Sequence, residues 1–309
     1  MILIVGAKRA YNAEFFYSKA FRELGHETLL VDMYDGIKRP FITRYIHTRT
    51  SLLSFTLDRL PVNRNVIEVA KSVKPDAVLI FKGEFLSNKA LRVLSERYPM
   101  YLFYPDTYKF KSILKDRLSL FRTVFTAANS MEFYYELGAR KVITVPWACD
   151  PDFHKSIEVG KKYDLTFIGT GYPERRKVIH QVKATVFGDF WPFMNANPPV
   201  YGEDYVRVIN ESRINLNLHA NSDVIADAPN MRAFEVAGCG AFQISDHVPS
   251  VKKYFPEIPT FKTIKELRGL IAYYLGSEKE REEIAMKAQE RCYKNFKYSD
   301  SAKMILAGM

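Results

Sequence analysis

Residues 230–246 read NMRAFEVAGCGAFQISD and hold, in one short stretch, the signals of a helix and of a strand. Residues 232–238 have a helical pattern, and the apolar run 241–245 predicts a buried strand directly after it. Gly238 and Gly240 lie at the junction, where small residues let the chain turn sharply. Short buried strands that alternate with helices are typical of a parallel sheet covered on both faces, so the stretch predicts an α/β fold.

The same alternation continues on both sides of this stretch. Apolar runs predict nine further strands: 2–5, 28–32, 77–81, 100–104, 124–127, 142–145, 164–169, 184–189 and 214–218. Helical spacing predicts helices at 13–24, 203–212, 263–275 and 278–294, and a short last helix at about 299–307. Two series of strands indicate two doubly wound sheets, which bind ligands at the carboxyl ends of their strands.

Domain boundaries follow from a polar, proline-containing linker at 150–162. We predict a Rossmann-like domain over 1–150, interrupted by a basic insertion at about 33–64, and a second Rossmann-like domain over 160–295. Residues 296–309 form the C-terminal helix. With two such domains facing each other, the cleft between them is the expected ligand site.

Charge is distributed unevenly along the chain. Residues 1–150 carry a net charge of +8 of the total +10. Such a basic field attracts an anionic membrane surface, a nucleic acid or an acidic polymer, although a plain contribution to solubility explains it equally well. No apolar run reaches about 18 residues, and the three cysteines lie far apart, so we expect a cytoplasmic protein without a membrane span, disulfide framework or zinc site.

A glycine-containing loop, GTGYPERR, covers residues 169–176. Gly169 ends a predicted strand, and Gly171 and Tyr172 lead into a helix that carries Arg175 and Arg176 near its start. Glycines let backbone N–H groups approach a phosphate, and arginine adds a permanent charge. The loop therefore predicts a phosphate site, with an ordinary turn bearing surface arginines as the alternative.

The helix within 230–246 offers a second set of candidate ligands. Its first turn contains Asn230 and Met231, and the N–H groups there suit a phosphate. Arg232 and Glu235 are three residues apart and share a helix face. A carboxylate in this place can accept the two hydroxyls of a ribose. The alternative is an Arg–Glu pair within the helix.

Taken together, the segments FIGTGYPERR, VFGDFW, INLNLHAN, NMRAFEVAGCGAFQISD and EREEIAMKAQERCYKNF resemble the CgeB-like glycosyltransferases. This group is named for a spore maturation protein and is related to glycosyltransferase family 1/4-type enzymes. The resemblance covers most of residues 163–296. It implies a GT-B fold: two doubly wound Rossmann-like domains facing a central cleft, with a C-terminal helix that returns toward the first domain.

The resemblance also implies a hexosyltransferase-like activity that requires no metal or other cofactor. A nucleoside-diphosphate sugar, most often a UDP-sugar, binds the second domain, and the acceptor binds the first. Glu235 matches the glutamate that holds ribose, and Arg175 or Arg176 matches the position that holds the diphosphate. Asp227, a shorter acid, stands where retaining relatives carry the first glutamate of the pair, near the donor sugar, so both retention and inversion stay open.

Two further residues follow predicted strands and are candidates for catalysis. Asp106 follows the strand at 100–104 and can act as a general base, with a turn or helix-capping aspartate as the alternative. His219 follows the strand at 214–218 and can contact the donor, unless it bonds only to backbone. Lys82 and Glu84 follow the strand at 77–81 and contact either substrate, or are solvated loop ends.

The expected function is transfer of a sugar to a hydroxyl of a glycan, a lipid-linked glycan or another polymer. A peripheral position at the inner face of an anionic membrane fits the basic field, and a nucleic-acid acceptor is less expected. The alternatives are a nucleotide-sugar epimerase or hydrolase on the same fold, and a nucleotide- or glycan-binding protein that has lost catalysis.

Overall fold

The computed structural model describes residues 1–35, 60–105, 114–192 and 194–309. Within these residues the chain forms two compact units, Met1–Pro146 with Ser301–Met309, and Trp147–Asp300. Most of the basic insertion and the candidate base Asp106 lie outside the described residues.

The first unit contains a six-stranded parallel sheet. Its strands are β1 (Ile2–Gly6), β2 (Thr28–Asp32), β3 (Ala77–Phe81), β4 (Met100–Phe103), β5 (Thr123–Thr126) and β6 (Val142–Thr144). The strand order is β2-β1-β3-β4-β5-β6, and Ile4 of β1 pairs with Leu30 on one side and Leu79 on the other. The order reverses between β1 and β3, which places the topological switch point of this sheet between them.

Helices cover the buried strands of the first unit. They are α1 (Ala13–Glu23), α2 (Pro61–Val73), α3 (Asn88–Ser95) and α4 (Glu132–Glu136), with a 3₁₀ turn at Leu118–Leu120. Helix α1 buries Phe16, Tyr17 and Phe21, which recur at helical spacing. Helix α3 begins after Ser87, whose side chain accepts a hydrogen bond from the N–H of Ala90.

The second unit contains a five-stranded parallel sheet. Its strands are β7 (Tyr163–Ile168), β8 (Thr185–Phe187), β9 (Ser212–Asn217), β10 (Gln243–Asp246) and β11 (Thr260–Phe261). The order is β11-β10-β9-β7-β8, and Leu165 of β7 pairs with Ile214 of β9. The switch point of this sheet therefore lies between β7 and β9.

The helices of the second unit begin at residues suited to helix starts. They are α5 (Pro173–Ile179), α6 (Gly202–Glu211), α7 (Asn221–Ile225), α8 (Met231–Gly238), α9 (Pro249–Tyr254), α10 (Ile264–Gly276) and α11 (Glu278–Asn295). Proline occupies the first position of α5 and α9. The side chains of Asn230 and Thr263 cap α8 and α10. The last helix, α12 (Tyr298–Gly308), begins in the second unit, and its residues from Ser301 onward belong to the first.

The α/β class with two parallel sheets is confirmed. The strands predicted from apolar runs are present, with ends that differ by one or two residues. The short helices α7 and α9 and strand β11 were not predicted, because runs of two to six residues carry too little periodicity to be recognised. Among the described residues, no helix is both long enough and apolar enough to span a bilayer.

Candidate functional site

The glycine-containing loop follows β7 and is held tightly against the end of β8. Gly169 has a φ of +152°, and its carbonyl oxygen accepts a hydrogen bond of 2.9 Å from Trp191 Nε1. A Cβ atom on Gly188 would lie 2.2 Å from that same oxygen. The N–H of Gly171 donates to the Asp189 carbonyl at 2.9 Å. Close backbone approach thus fixes the loop before α5 begins.

Arg175 forms hydrogen bonds to backbone just after the carboxyl ends of β7 and β9. Its side chain is buried, with Nε donating to the Leu218 carbonyl at 3.1 Å and Nη1 to the Thr170 carbonyl at 3.3 Å. The guanidinium carbon lies 5.6 Å from the ring centre of Phe167 and 5.0 Å from that of Tyr172. Two of the five N–H donors of Arg175 are therefore used inside the protein.

Arg232, in the first turn of α8, lies beside the same aromatic ring. Its guanidinium carbon is 5.5 Å from the centre of Phe167, and its Nη2 would be 3.1 Å from a Cβ atom on Gly169. Its buried Nε has no hydrogen-bond partner within the described parts of the chain. Burial and then the charge of Arg232 lower the pKa of Arg175 to about 10, so Arg175 is cationic at neutral pH, as arginine side chains in proteins are in general.

Two cations share this position without a carboxylate in direct contact among the described residues, while Asp223 and Asp246 act on Arg175 from a greater distance. Across residues 1–35, 60–105, 114–192 and 194–309, neither Arg175 nor Arg232 forms an ion pair. Like charges close together repel each other, and an anion between or beside them removes that cost. The pair lies at the switch point between β7 and β9, which is where sheets of this kind bind ligands.

Asn230 and Met231 have structural contacts of their own. The Asn230 side chain accepts from the N–H of Ala233 at 3.2 Å and donates to the Leu218 carbonyl at 3.3 Å. Met231 Sδ lies 3.8 Å from the Tyr298 hydroxyl. The Asn230 amide is thus engaged in capping α8, and the backbone N–H groups of the first turn are the donors that a helix start leaves for a ligand.

Glu235 is buried one turn further along α8, with a relative exposure of 6%. Its Oε2 accepts a 2.6 Å hydrogen bond from the Tyr205 hydroxyl, and its Oε1 lies 3.8 Å from His154 Nε2. His154 Nδ1 accepts from the N–H of Asp150 at 3.0 Å, so the proton of the neutral ring is on Nε2, facing Glu235. Burial lowers the pKa of His154 and, with the Glu235 charge, raises that of Tyr205.

His219 is bonded to a carboxylate and not only to backbone. Its Nδ1 lies 2.5 Å from Asp246 Oδ1, and its backbone N–H donates to Asp246 Oδ2 at 2.9 Å. This arrangement favours the tautomer with the proton on Nδ1. His219 Nε2 is buried and has no hydrogen-bond partner among the residues that the structure describes.

Asp227 and Arg176 are placed differently from the arginine pair. Asp227 has a φ of +48°, and its Oδ1 accepts a 2.7 Å hydrogen bond from the N–H of Ser250, at the start of α9. Arg176 is half-buried, next to Arg175 on α5, and its side chain forms no hydrogen bond to other described residues. Neighbouring residues on a helix point about 100° apart, so Arg176 does not share the environment of Arg175.

Three residues that contact Glu235 or His219 were not predicted from the sequence: Tyr205, His154 and Asp246. Each reaches its partner from a distant part of the chain, and no local spacing marks it. Asp246 ends the quoted stretch, but only the pairing of β9 with β10 brings it to His219. In the described ranges, no group of three or more His, Cys, Asp or Glu side chains is arranged to hold a metal ion.

Comparison with known proteins bears on the family and the fold of this chain. Residues 159–307 match the family model described as Glycosyl transferase-like. The chain is 24% identical to the spore protein CgeB of Bacillus subtilis, over 70% of this chain and 77% of CgeB. The resemblance to CgeB-like glycosyltransferases drawn from the sequence is therefore confirmed.

Solved structures share the fold at low sequence identity. Anabaena HepE, crystallised in complex with UDP-glucose, has a TM-score of 0.69 and 12% identity, with 100% of each chain covered. Sucrose-phosphate synthase from Thermosynechococcus elongatus has a TM-score of 0.67 and 10% identity, over 99% of this chain and 97% of that one. The GT-B fold is confirmed by these likenesses.

Proposed function

We propose that this glycosyltransferase-like chain of the GT-B fold transfers a hexose from a UDP-sugar to a hydroxyl of an acceptor, without a metal ion. The acceptor is a glycan, a lipid-linked glycan or another polymer. The observation that carries the proposal is the pair Arg175 and Arg232, two cations without an ion-pair partner among the described residues, at the switch point of the second sheet. The buried carboxylate of Glu235 lies one helical turn from Arg232.

The diphosphate of the donor binds beside Arg232. Its Nε has no partner among the described residues, whereas Nε and Nη1 of Arg175 donate to carbonyl groups and hold the local structure. The first-turn N–H groups of α8 and the loop at Gly169 and Gly171 add neutral donors. As the sugar leaves, negative charge grows on the diphosphate, and these groups stabilise it. Arg176 is a further candidate contact on the outer part of the site.

The ribose binds at Glu235. Tyr205 occupies one carboxylate oxygen and fixes the direction of the side chain, while the other oxygen faces His154 at 3.8 Å and is available to a hydroxyl. The UDP-glucose complex of the HepE structure supports UDP-glucose as the first donor to test. Tyr172, stacked with Arg175, forms part of the wall of this site.

The three candidate catalytic residues have separate proposed roles. Asp227 orients the donor sugar, and His219, held by Asp246, contacts the donor through Nε2. Asp106, outside the described residues, is a candidate base for an inverting reaction. The basic residues of the first 150 positions favour an anionic acceptor surface, such as lipid-linked glycan at a membrane, with nucleic acid as a weaker alternative.

The test compares UDP with 2′,3′-dideoxy-UDP by isothermal titration calorimetry. If Glu235 holds the ribose hydroxyls, the wild-type protein binds UDP about tenfold or more tightly than the dideoxy compound, and Glu235→Gln loses this discrimination. Glu203→Gln, an exposed change on α6, serves as the control and keeps it. Equal discrimination by wild type and Glu235→Gln would refute the ribose assignment.

Product analysis separates transfer from the other activities of this fold. UDP-glucose is incubated alone and then with a panel of glycoside acceptors, and the products are identified by NMR. A transferase leaves most of the donor intact until an acceptor is added. Rapid hydrolysis or epimerisation without an acceptor favours the second enzyme class, and binding without turnover on the whole panel favours a binding protein.

A further inference from the structure

Two of the three cysteines, far apart in the sequence, come into contact in the second unit. Cys149, Cys239 and Cys292 are all free thiols and fully buried. The Sγ atoms of Cys149 and Cys292 are 3.3 Å apart, although 143 residues separate the two positions along the chain. Cys239 forms no hydrogen bond to either of these sulfurs in the part of the chain that the structure describes. The fold therefore selects one pair of thiols.

The backbone holds Cys149 beside the end of α11, the helix that carries Cys292. The N–H of Cys149 donates to the Phe296 carbonyl at 2.9 Å, and the Cys149 carbonyl accepts from the N–H of Tyr298 at 3.1 Å. Both partners follow Cys292 closely along the chain. These bonds fix the two stretches of backbone relative to each other, so the thiols stay in contact without being joined.

Helix α8 packs against the same pair of thiols. A Cβ atom on Gly238 would lie 2.8 Å from Cys149 Cβ, and Cys292 Sγ lies 3.4 Å from the Phe234 carbonyl oxygen. Cys149, Phe234 and Cys292 belong to one buried apolar cluster. Because protein interiors are closely packed, the two sulfurs have little room to move apart.

A bond between the two sulfurs requires only a small displacement. In a disulfide the sulfurs are about 2.05 Å apart, so from 3.3 Å they must approach each other by roughly 1.2 Å. A modest rotation of the two side chains provides this movement and leaves the paired backbone where it is. The geometry therefore suits a disulfide that can form in the folded protein.

We propose that Cys149 and Cys292 are an oxidation site, at which a peroxide joins the two thiols in a reversible disulfide that stabilises the second unit. This inference does not depend on the proposed function. The closed ring runs from Cys149 to Cys292 and encloses nearly all of the unit Trp147–Asp300. Closing so long a loop removes conformational freedom from the unfolded chain, which raises the stability of the folded unit.

The chemical step consumes one hydrogen peroxide and releases two waters. One thiol loses its proton, and its sulfur attacks a peroxide oxygen; the O–O bond breaks, a sulfenic acid forms, and hydroxide leaves with that proton as water. The second sulfur then attacks the sulfenic sulfur. The S–S bond forms, the S–O bond breaks, and the hydroxyl leaves as water with the proton of the second thiol. The two thiols lose two electrons, which the peroxide gains, and a thiol reductant reverses the change.

The surroundings of the thiols make this reaction slow. Burial, and then the hydrogen bond with Cys149, raises the pKa of the Cys292 thiol. The thiolate is the reactive form, and a fully buried thiol has little contact with an oxidant in solution. We therefore expect the reaction to proceed through transient openings of this region, so that sustained exposure to peroxide joins the pair and a brief exposure leaves it reduced.

The first experiment identifies which cysteines are joined. The full chain is incubated with hydrogen peroxide, remaining thiols are alkylated, and tryptic peptides are analysed by mass spectrometry without reduction. The three cysteines fall in three different tryptic peptides, 142–155, 233–252 and 292–294. Folded protein should yield the Cys149–Cys292 linkage. Protein oxidised in concentrated urea should instead join mainly Cys239 to Cys292, which are nearer along the chain. Linkage through Cys239 in the folded protein, or the same pattern in both states, would overturn the proposal.

The second experiment measures the stability of the second unit within the full chain. Both tryptophans, Trp147 and Trp191, belong to this unit, so their fluorescence reports its unfolding. The urea midpoint of the oxidised wild type should lie about 1 M or more above that of the reduced protein, and dithiothreitol should abolish the difference. After the same treatment Cys149→Ala should show no shift, whereas Cys239→Ala, an equally buried control, should keep it.

The wild-type comparison before and after dithiothreitol needs no substitution, so it decides the matter even where Cys149→Ala folds poorly. Absence of the Cys149–Cys292 peptide, under exposure that joins cysteines of the unfolded chain, would refute the oxidation site. A linked protein whose urea midpoint equals that of the reduced form would refute the stabilising role of the disulfide.

Discussion

Replacement of Arg232 by glutamine tests whether Arg232 and Arg175, which look alike in the sequence, have different roles. Arg232 has a buried Nε without a partner in the described residues and lies close to the cationic Arg175. Its removal therefore takes away a repulsion in the free protein and breaks no internal hydrogen bond that the structure shows. If the diphosphate of UDP binds beside Arg232 as proposed, the same change removes a charged donor from it.

The expected magnitudes follow from these contacts. A hydrogen bond to a charged group contributes about 1.5–3 kcal/mol. Because about 1.4 kcal/mol corresponds to a tenfold change in affinity, Arg232→Gln should weaken UDP binding by roughly 10- to 150-fold. Its free energy of unfolding should change by less than about 1 kcal/mol, because loss of the contact with the Phe167 ring opposes the relief of repulsion. Arg175→Gln should instead lose about 1–3 kcal/mol of stability, since two hydrogen bonds to carbonyl oxygens disappear.

The assay is calorimetric titration with UDP at one fixed salt concentration, because ionic strength screens charge. Urea unfolding of each variant without ligand gives the stability. Arg207→Gln, an exposed change on α6, is the matched control and should alter neither quantity. UDP affinity equal to wild type in Arg232→Gln, or a loss of stability as large as that of Arg175→Gln, would refute the assignment of Arg232 to the diphosphate.

Two further predictions concern the histidines of the second unit. In Asp246→Asn the amide can donate to His219 Nδ1, so the ring proton should move to Nε2, which the ¹⁵N chemical shifts of the ring would show. The rate of sugar transfer should fall by about tenfold or more. An unchanged tautomer and an unchanged rate would exclude a positioning role for Asp246. Burial lowers the pKa of His154 below its ordinary 6.5, so below about pH 6.5 His154 binds a proton more readily in the unfolded chain than in the folded one. The free energy of unfolding should therefore fall as the pH drops below about 6.5. His154→Gln should reduce this slope and the exposed His180→Gln should not; an equal slope in both would contradict the reasoning.

The elements of the fold were largely predictable from the sequence. Apolar runs such as 77–81 and 165–168 occupy buried parts of strands, and glycines such as Gly169 lie where β7 turns into its loop. These signals are local, because strand and helix periodicities span only a few residues. The parallel arrangement also follows, since strands separated by helices can hardly pair in another way.

The candidate site was only partly predictable. Arg175, Arg232 and Glu235 were recognised as a group, but Tyr205 and Asp246 were not. Tyr205 is 30 residues from Glu235, and Asp246 is 27 residues from His219. Such pairs form when strands and helices pack, and nothing in the local pattern of either residue indicates its partner.

By itself, the amino-acid order determined the sequence of strands and helices, the glycine-containing turns and the presence of several arginines near strand ends. Only the tertiary structure decided which arginine forms hydrogen bonds within the protein. Arg175 donates to two carbonyl groups, while the buried Nε of Arg232 has no partner among the described residues. The physical reason is that secondary structure depends on neighbours along the chain, whereas burial, hydrogen-bond partners and pKa depend on groups that the folded chain brings together from far apart.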